Sequence, residues 1–166
     1  MLKSNSKLAV LAAIGALVAP LVASAAPKTV NFDVSMKIVA DCTIGANGID
    51  FGQNQGVITA AMTATSTINV TCTNTTPYNV GLNAGTGTGS SGTNRFMTGA
   101  ANAANVKFNL YQSPGAGLWG NTQGTDTMAG TGNGNAQTLT VHGEIPFQTT
   151  PAPDTYKSTV TATVYF

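Results

Sequence analysis

Apolar side chains recur at every second position along this sequence, and that period limits what the chain can fold into. In residues 29–38 Val30, Phe32, Val34, Met36 and Ile38 alternate with polar residues. A β-strand sends successive side chains to opposite faces, whereas a helix returns to one face after three or four residues. The spelling therefore predicts a strand with one apolar ridge. The same pattern returns at Ile68, Val70 and Cys72, at Tyr78, Val80 and Leu82, and at Val106, Phe108 and Leu110. It appears again at Leu139 and Val141, continued by Ile145 and Phe147, and last at Tyr156, Val160, Ala162, Val164 and Phe166. Turn residues such as Asn74, Pro77, Pro114 and Gly115 separate these runs, and no helical period holds up beyond the first residues. The expected fold class is all-β, a sandwich of two sheets. Residues 67–73 and 77–84 are expected as neighbours in a meander, residues 156–166 as one strand, and the glycine-rich stretches 85–92 and 130–134 as surface loops.

The first residues read as an export signal. Lys3 and Lys7 provide a positive start, residues 8–22 an apolar stretch, and Ala23, Ser24 and Ala25 a small-residue cleavage site. The apolar part is short for a membrane span, which needs about 20 residues. Residues 1–25 are thus expected to be removed, leaving 26–40 as a leading strand with its linker and 41–166 as one globular body. Past the leader, Lys28, Lys37, Arg95, Lys107 and Lys157 stand against Asp33, Asp41, Asp50, Asp126, Glu144 and Asp154, so five minus six gives −1. Charge this sparse makes no basic stripe for nucleic acid and no polybasic patch for anionic lipid. It suits a surface that packs against copies of itself. In an exported chain the cysteine pair, Cys42 and Cys72, reads as a disulfide. Two cysteines and one histidine make a poor zinc set.

Both ends of the body carry further information. The ridge on residues 29–38 needs a groove to fill, and a second copy of the chain is a natural receiver. Residues 156–166 close the sequence on an apolar strand, which is expected to leave an outer sheet edge without a partner.

The remaining motifs favour plain structural readings. His142, Gly143 and Glu144 spell the first half of a zinc deaminase signature, but the cysteine half is missing, so a strand histidine is expected. With one histidine, most hydrolase layouts are excluded. Residues 87–92 spell a dinucleotide fingerprint that opens no helix, and are read as a loop. Trp119 and Tyr111 are read as packing aromatics rather than a sugar platform. The Asn-x-Thr triplets at Asn69 and Asn74 are strand and turn residues. No enzyme activity, metal or small-molecule cofactor is expected.

The export signal, the alternating leading strand followed by Cys42, Thr43 and Ile44, the strand from Ile68 to Cys72, the run Phe108 to Tyr111 and the ending from Thr155 to Phe166 together resemble the spore coat protein U domain family. Within it, the sequence is most similar to major subunits of archaic, Csu-type chaperone-usher pili. The resemblance implies an incomplete immunoglobulin-like β-sandwich that a neighbouring subunit completes with a donated strand, the donor-strand form of β-augmentation. By position, Val30, Phe32, Val34, Met36 and Ile38 match the donor, while the strand around Cys42 and Val160, Ala162, Val164 and Phe166 match the edges of the acceptor groove. The implied partners are further copies of the chain, a periplasmic chaperone, an outer-membrane usher, and minor and tip pilins. The implied destination, reached through the periplasm, is a pilus on the cell surface serving attachment and biofilm formation. Two other classes stay open: a small outer-membrane β-barrel and a secreted carbohydrate-binding β-sandwich.

Overall fold

The computed structural model describes residues 25–53 and 56–166. Residues 1–24, and with them the leader, lie outside the described residues. Lys37–Phe166 forms one compact unit. Its elements are β1 (Cys42–Ala46), β2 (Met62–Cys72), β3 (Pro77–Leu82), β4 (Arg95–Gly99), β5 (Asn105–Tyr111), β6 (Met128–Thr131), β7 (Ala136–Ile145), β8 (Tyr156–Lys157) and β9 (Ala162–Tyr165). Among the described residues there is no helix.

The strands form two antiparallel sheets. One has six strands in the order β1-β2-β7-β5-β4-β8, the other three in the order β6-β3-β9. The alternating residues fill the space between them. Ile68, Val70, Cys72, Tyr78, Val80, Leu82, Val106, Phe108 and Leu110 are each at most 5% exposed. Trp119 and Arg95 are fully buried. The indole Nε1 donates to the Val80 carbonyl at 2.8 Å, tying the loop before β6 to the middle of β3. The Arg95 guanidinium donates through Nε to Asn83 O (2.9 Å) and through Nη2 to Leu82 O and Trp119 O (both 2.7 Å). Burial pushes its pKa down to about 10, opposed by the charge of Asp126. A charged group so placed binds together carbonyls that no ladder reaches.

Four expectations need correction. The runs 67–73 and 77–84 are not neighbours in a meander. β2 already pairs with β1 on one side and β7 on the other, so no edge remains for β3. The chain instead crosses to the second sheet through a turn in which Thr75 takes φ 63° and Thr76 N donates to Thr73 O at 3.1 Å. Nor is 156–166 one strand. β8 pairs with β4 in the large sheet and β9 with β3 in the small one. Residues 158–161 cross between the layers beside residues 83–87, which make the same crossing from β3 towards β4. Thr161 N donates to Asn83 Oδ1 (2.8 Å), Asn83 N to Thr161 O (3.1 Å) and Thr159 N to Thr86 Oγ1 (2.9 Å).

Third, Phe147 does not continue the inward face of β7. Ile145 is buried, but Pro146 ends the ladder and Phe147 is 72% exposed. Where β7 has stopped, the side-chain amide of Gln148 takes over. It accepts from Lys107 N and donates to Lys107 O, both at 2.9 Å. Of the glycine-rich stretches, 85–92 connects β3 to β4 as a loop, whereas Gly130 of the second belongs to β6, where a Cβ would collide with the Tyr78 ring.

Asp154 closes the turn before β8. Its Oδ2 accepts from Ala101 N (2.7 Å) and Asn102 N (2.9 Å), and Oδ1 from Thr155 N (2.7 Å). These bonds hold its carboxyl below the usual carboxylate pKa. A depressed folded pKa means stability that is present above about pH 3.9, the unfolded value, and lost as pH falls towards the folded one. Asp154→Asn should therefore lower stability at neutral pH and flatten its fall on the acid side, so that variant and parent converge as pH drops below about 3.9, read from denaturant midpoints between pH 2 and pH 7.

Candidate strand-acceptor groove

Two sheet edges meet on one side of the sandwich. β1 ends the six-stranded sheet and β9 ends the three-stranded one, and among the described residues neither has a ladder partner on its outer side. The two approach each other there without pairing. The topology also fixes their sense. Cys42 pairs with Cys72, Tyr165 with Asn79, and the short turn between β2 and β3 puts Cys72 and Asn79 at the same end. β1 and β9 therefore run in opposite directions along the seam.

The seam is apolar beneath. Cys42 and Ile44 from β1, and Val160, Ala162 and Val164 from the last segment, are half-buried and pack on the core. Their inner sides rest on the sandwich interior and their outer sides lack cover. Phe166 lies past β9 and is 59% exposed. Of the residues read from the sequence as an acceptor edge, Ala162 and Val164 lie on β9, Val160 precedes it and Phe166 follows it, while Ile44 lies on β1.

The Cys42–Cys72 disulfide is formed, with a Cα–Cα separation of 4.1 Å. It joins directly opposed residues of β1 and β2, and Thr73 N adds a hydrogen bond to Asp41 O at 3.0 Å. An edge strand of five residues has one ladder only, so this cross-link stops it from fraying. Replacing both cysteines by alanine should cost about 3–4 kcal/mol, the loop-closure value for two residues about 30 apart, and should weaken β1 first. Hydrogen exchange of the residue 42–46 amides checks this against an unchanged β5.

In the leading segment, Val30, Phe32, Val34, Met36 and Ile38 are 71–87% exposed, and residues 25–41 belong to no strand of this single chain. Five consecutive apolar positions of one ridge are thus left in solvent, an arrangement that marks an interaction surface.

His142 and Glu144 sit on β7, as a strand histidine and its neighbour would. Gly143 between them faces inward, where a Cβ would run into Ile49 and Phe51. Trp119 is in the core, as read. Arg95 was not singled out by its surroundings in sequence; its one signal is that it is the only arginine in the chain.

Comparison with known proteins agrees with this geometry. A solved structure, the chaperone–tip adhesion subunit pre-assembly complex from archaic chaperone-usher Csu pili of Acinetobacter baumannii, is similar at 26% identity and a TM-score of 0.55. The likeness covers 78% of this chain and 40% of that one. No curated protein matches the sequence. The fold is the all-β, immunoglobulin-like sandwich that the sequence implied, incomplete where β1 and β9 meet. The family model of the Spore Coat Protein U domain matches residues 28–163, and the chain belongs to that family.

Proposed function

We propose that the protein is a structural shaft subunit of a chaperone-usher pilus, polymerised by donor-strand complementation. The observation that carries this reading is a pair of complementary defects in one chain. An apolar ridge on residues 30–38 is exposed, and among the described residues two adjoining sheet edges, β1 and β9, have no third strand. A strand from a second copy, inserted between them, would remedy both at once. Insertion has to part β1 from β9, after which Val30, Phe32, Val34, Met36 and Ile38 replace solvent over Ile44, Ala162 and Val164. Before that, a periplasmic chaperone would cover the same edges, and an outer-membrane usher would exchange it for the next subunit.

A subunit that offers a ridge and also accepts one can be linked on both sides, as a shaft requires. Minor and tip pilins would be its remaining partners, and the surface pilus would serve attachment and biofilm formation. The protein catalyses nothing in this reading. Of the other classes, a closed barrel is disfavoured by two separate sheets with free edges.

The test is the assembled material. When the chain is produced with its chaperone and usher, surface extracts should give a ladder of multimers that survives mild denaturant and collapses to monomer on strong heating. A single band whose mobility shifts on heating in detergent would instead mean a barrel, and a stable monomer would end the proposal.

A further inference from the structure

The outer face of the six-stranded sheet carries a second concave site, remote in kind from the strand-exchange seam. Three adjacent strands build its floor. Thr65 of β2, His142 of β7 and Tyr111 of β5 stand directly across from one another, and beside them Thr63 faces Glu144. The inward partners on the same strands, Val141, Ile145 and Leu110, are buried, so these side chains point away from the core. The wall is the loop after β5. Tyr111 forms a bridge to Leu118, Trp119 N donates to Leu110 O at 2.8 Å, and Ala116 N donates to Ser113 O at 3.1 Å. That closure sets Pro114, Gly115 and Ala116 beside the strands, and the cleft they enclose has a volume of about 490 Å³.

One polar group in it is held in place before any ligand arrives. Tyr111 Oη accepts from Asn109 Nδ2 at 3.1 Å. Glu144 pairs with Asn109, two residues back along β5 from Tyr111, and burial together with the charge of that carboxylate raises the pKa of the Tyr111 phenol. The cleft thus offers an acceptor-only carboxylate, a phenol, an imidazole and two threonine hydroxyls. Opposite them lies a wall of Pro114 and Ala116 with no charge. This matches the surface of a neutral sugar ring: a carboxylate accepts from two vicinal hydroxyls, hydroxyls and imidazole either donate or accept, and the C–H face lies on apolar carbon or an aromatic ring. A phosphorylated or carboxylated ligand would meet Glu144 and be repelled. A long apolar ligand would bury hydroxyls without partners.

We infer that this cleft, formed by Thr63, Thr65, Tyr111, Pro114, His142 and Glu144, is a binding site for a neutral saccharide, read through a vicinal diol. The inference does not depend on polymerisation, because every residue in it lies within one chain and away from both β1 and β9. In a polymer each site would repeat once per subunit, so a weak single contact would be multiplied along the fibre.

Saturation-transfer difference NMR tests it on the full chain in the assembly state in which it is purified. Methyl α-mannopyranoside and methyl β-galactopyranoside, each with a cis diol, are the probes, and their deoxy analogues lacking one of those hydroxyls are the controls. At least one methyl glycoside should give a saturable signal in the millimolar range that its deoxy analogue lacks. Glu144→Gln should weaken it about tenfold, since a hydrogen bond to a charged group is lost, and Tyr111→Phe about fivefold, since the phenol's hydrogen bond is a neutral one. Ala116→Trp fills the cleft from the exposed loop without touching the network and should abolish the signal. Thr138→Val, on the same sheet face but outside the cleft, should leave it unchanged. No saturable signal from either glycoside overturns the assignment, as does full binding by Ala116→Trp. A normal multimer ladder in the same samples shows that the failure belongs to this site and not to strand exchange.

Discussion

Fibres should not form when Phe32 and Val34 are both replaced by aspartate. Each side chain is more than 80% exposed in the single chain, so the change leaves the isolated body's own packing untouched. In the inserted state the same positions would lie on Ile44, Ala162 and Val164. There each substitution forfeits about 1.5–3 kcal/mol of apolar burial and places an unpaired carboxylate against carbon, at a further cost of several kcal/mol. Two such changes cost about as much as backbone pairing along one strand contributes, at about 0.5–1.5 kcal/mol per hydrogen bond. The multimer ladder should disappear, while monomer bound to the chaperone persists in the periplasm, because in the proposed function the chaperone would cover β1 and β9 and not the ridge. Asn31→Asp, facing the other way, should be neutral. Unchanged surface fibres in the double variant would remove the ridge from its assigned role.

The second large effect concerns the body. Trp119→Ala should lower stability by about 3–5 kcal/mol, the usual cost of deleting a buried indole, out of a total of about 5–15 kcal/mol. Thermal unfolding should move down by about 10 °C. The change empties a fully buried position and leaves Val80 O without its donor. Trp119→Phe keeps most of the volume and should lose far less. Arg95→Met should fall between them. It strands the carbonyls of Leu82, Asn83 and Trp119, each costing about 1–3 kcal/mol, but it also removes a desolvated charge. Because that guanidinium's pKa is lowered on folding, its penalty is complete below about pH 10 and fades as pH rises through 10 towards the unfolded value. The variant should therefore compare less favourably with the parent at high pH. Melting curves within a degree or two of the parent for Trp119→Ala would contradict this account of the core.

How much of this was legible depends on what each residue reports. Val106, Phe108 and Leu110 announce a half-buried strand because period two has one physical meaning, and β5 lies where they put it. The same signal says which face of a strand is covered, but not which sheet the strand joins. Hence β2 and β3 share one spelling yet lie in opposite layers, and 156–166 holds its alternation through a crossing of the sandwich. Arg95 illustrates the other gap. Its partners are main-chain carbonyls from residues 82, 83 and 119, which have no side-chain signature. The polar cleft was hidden for a related reason: Thr65, Tyr111 and His142 become neighbours only through strand order, and each alone is an ordinary outward residue.

The position of the disulfide bears on how a linked chain would carry tension. A pull on the segment before Ala40 enters the body at Asp41 and Cys42, at the tip of its shortest route inward. Without a covalent bond there, the load would unzip β1 from β2 one rung at a time, the easiest way to tear a sheet. With Cys42 bonded to Cys72, the force passes at the first rung into an eleven-residue strand held by a ladder on each side, from β1 and from β7. The mechanical weak point is thereby moved off the edge and into the best-held strand of the domain.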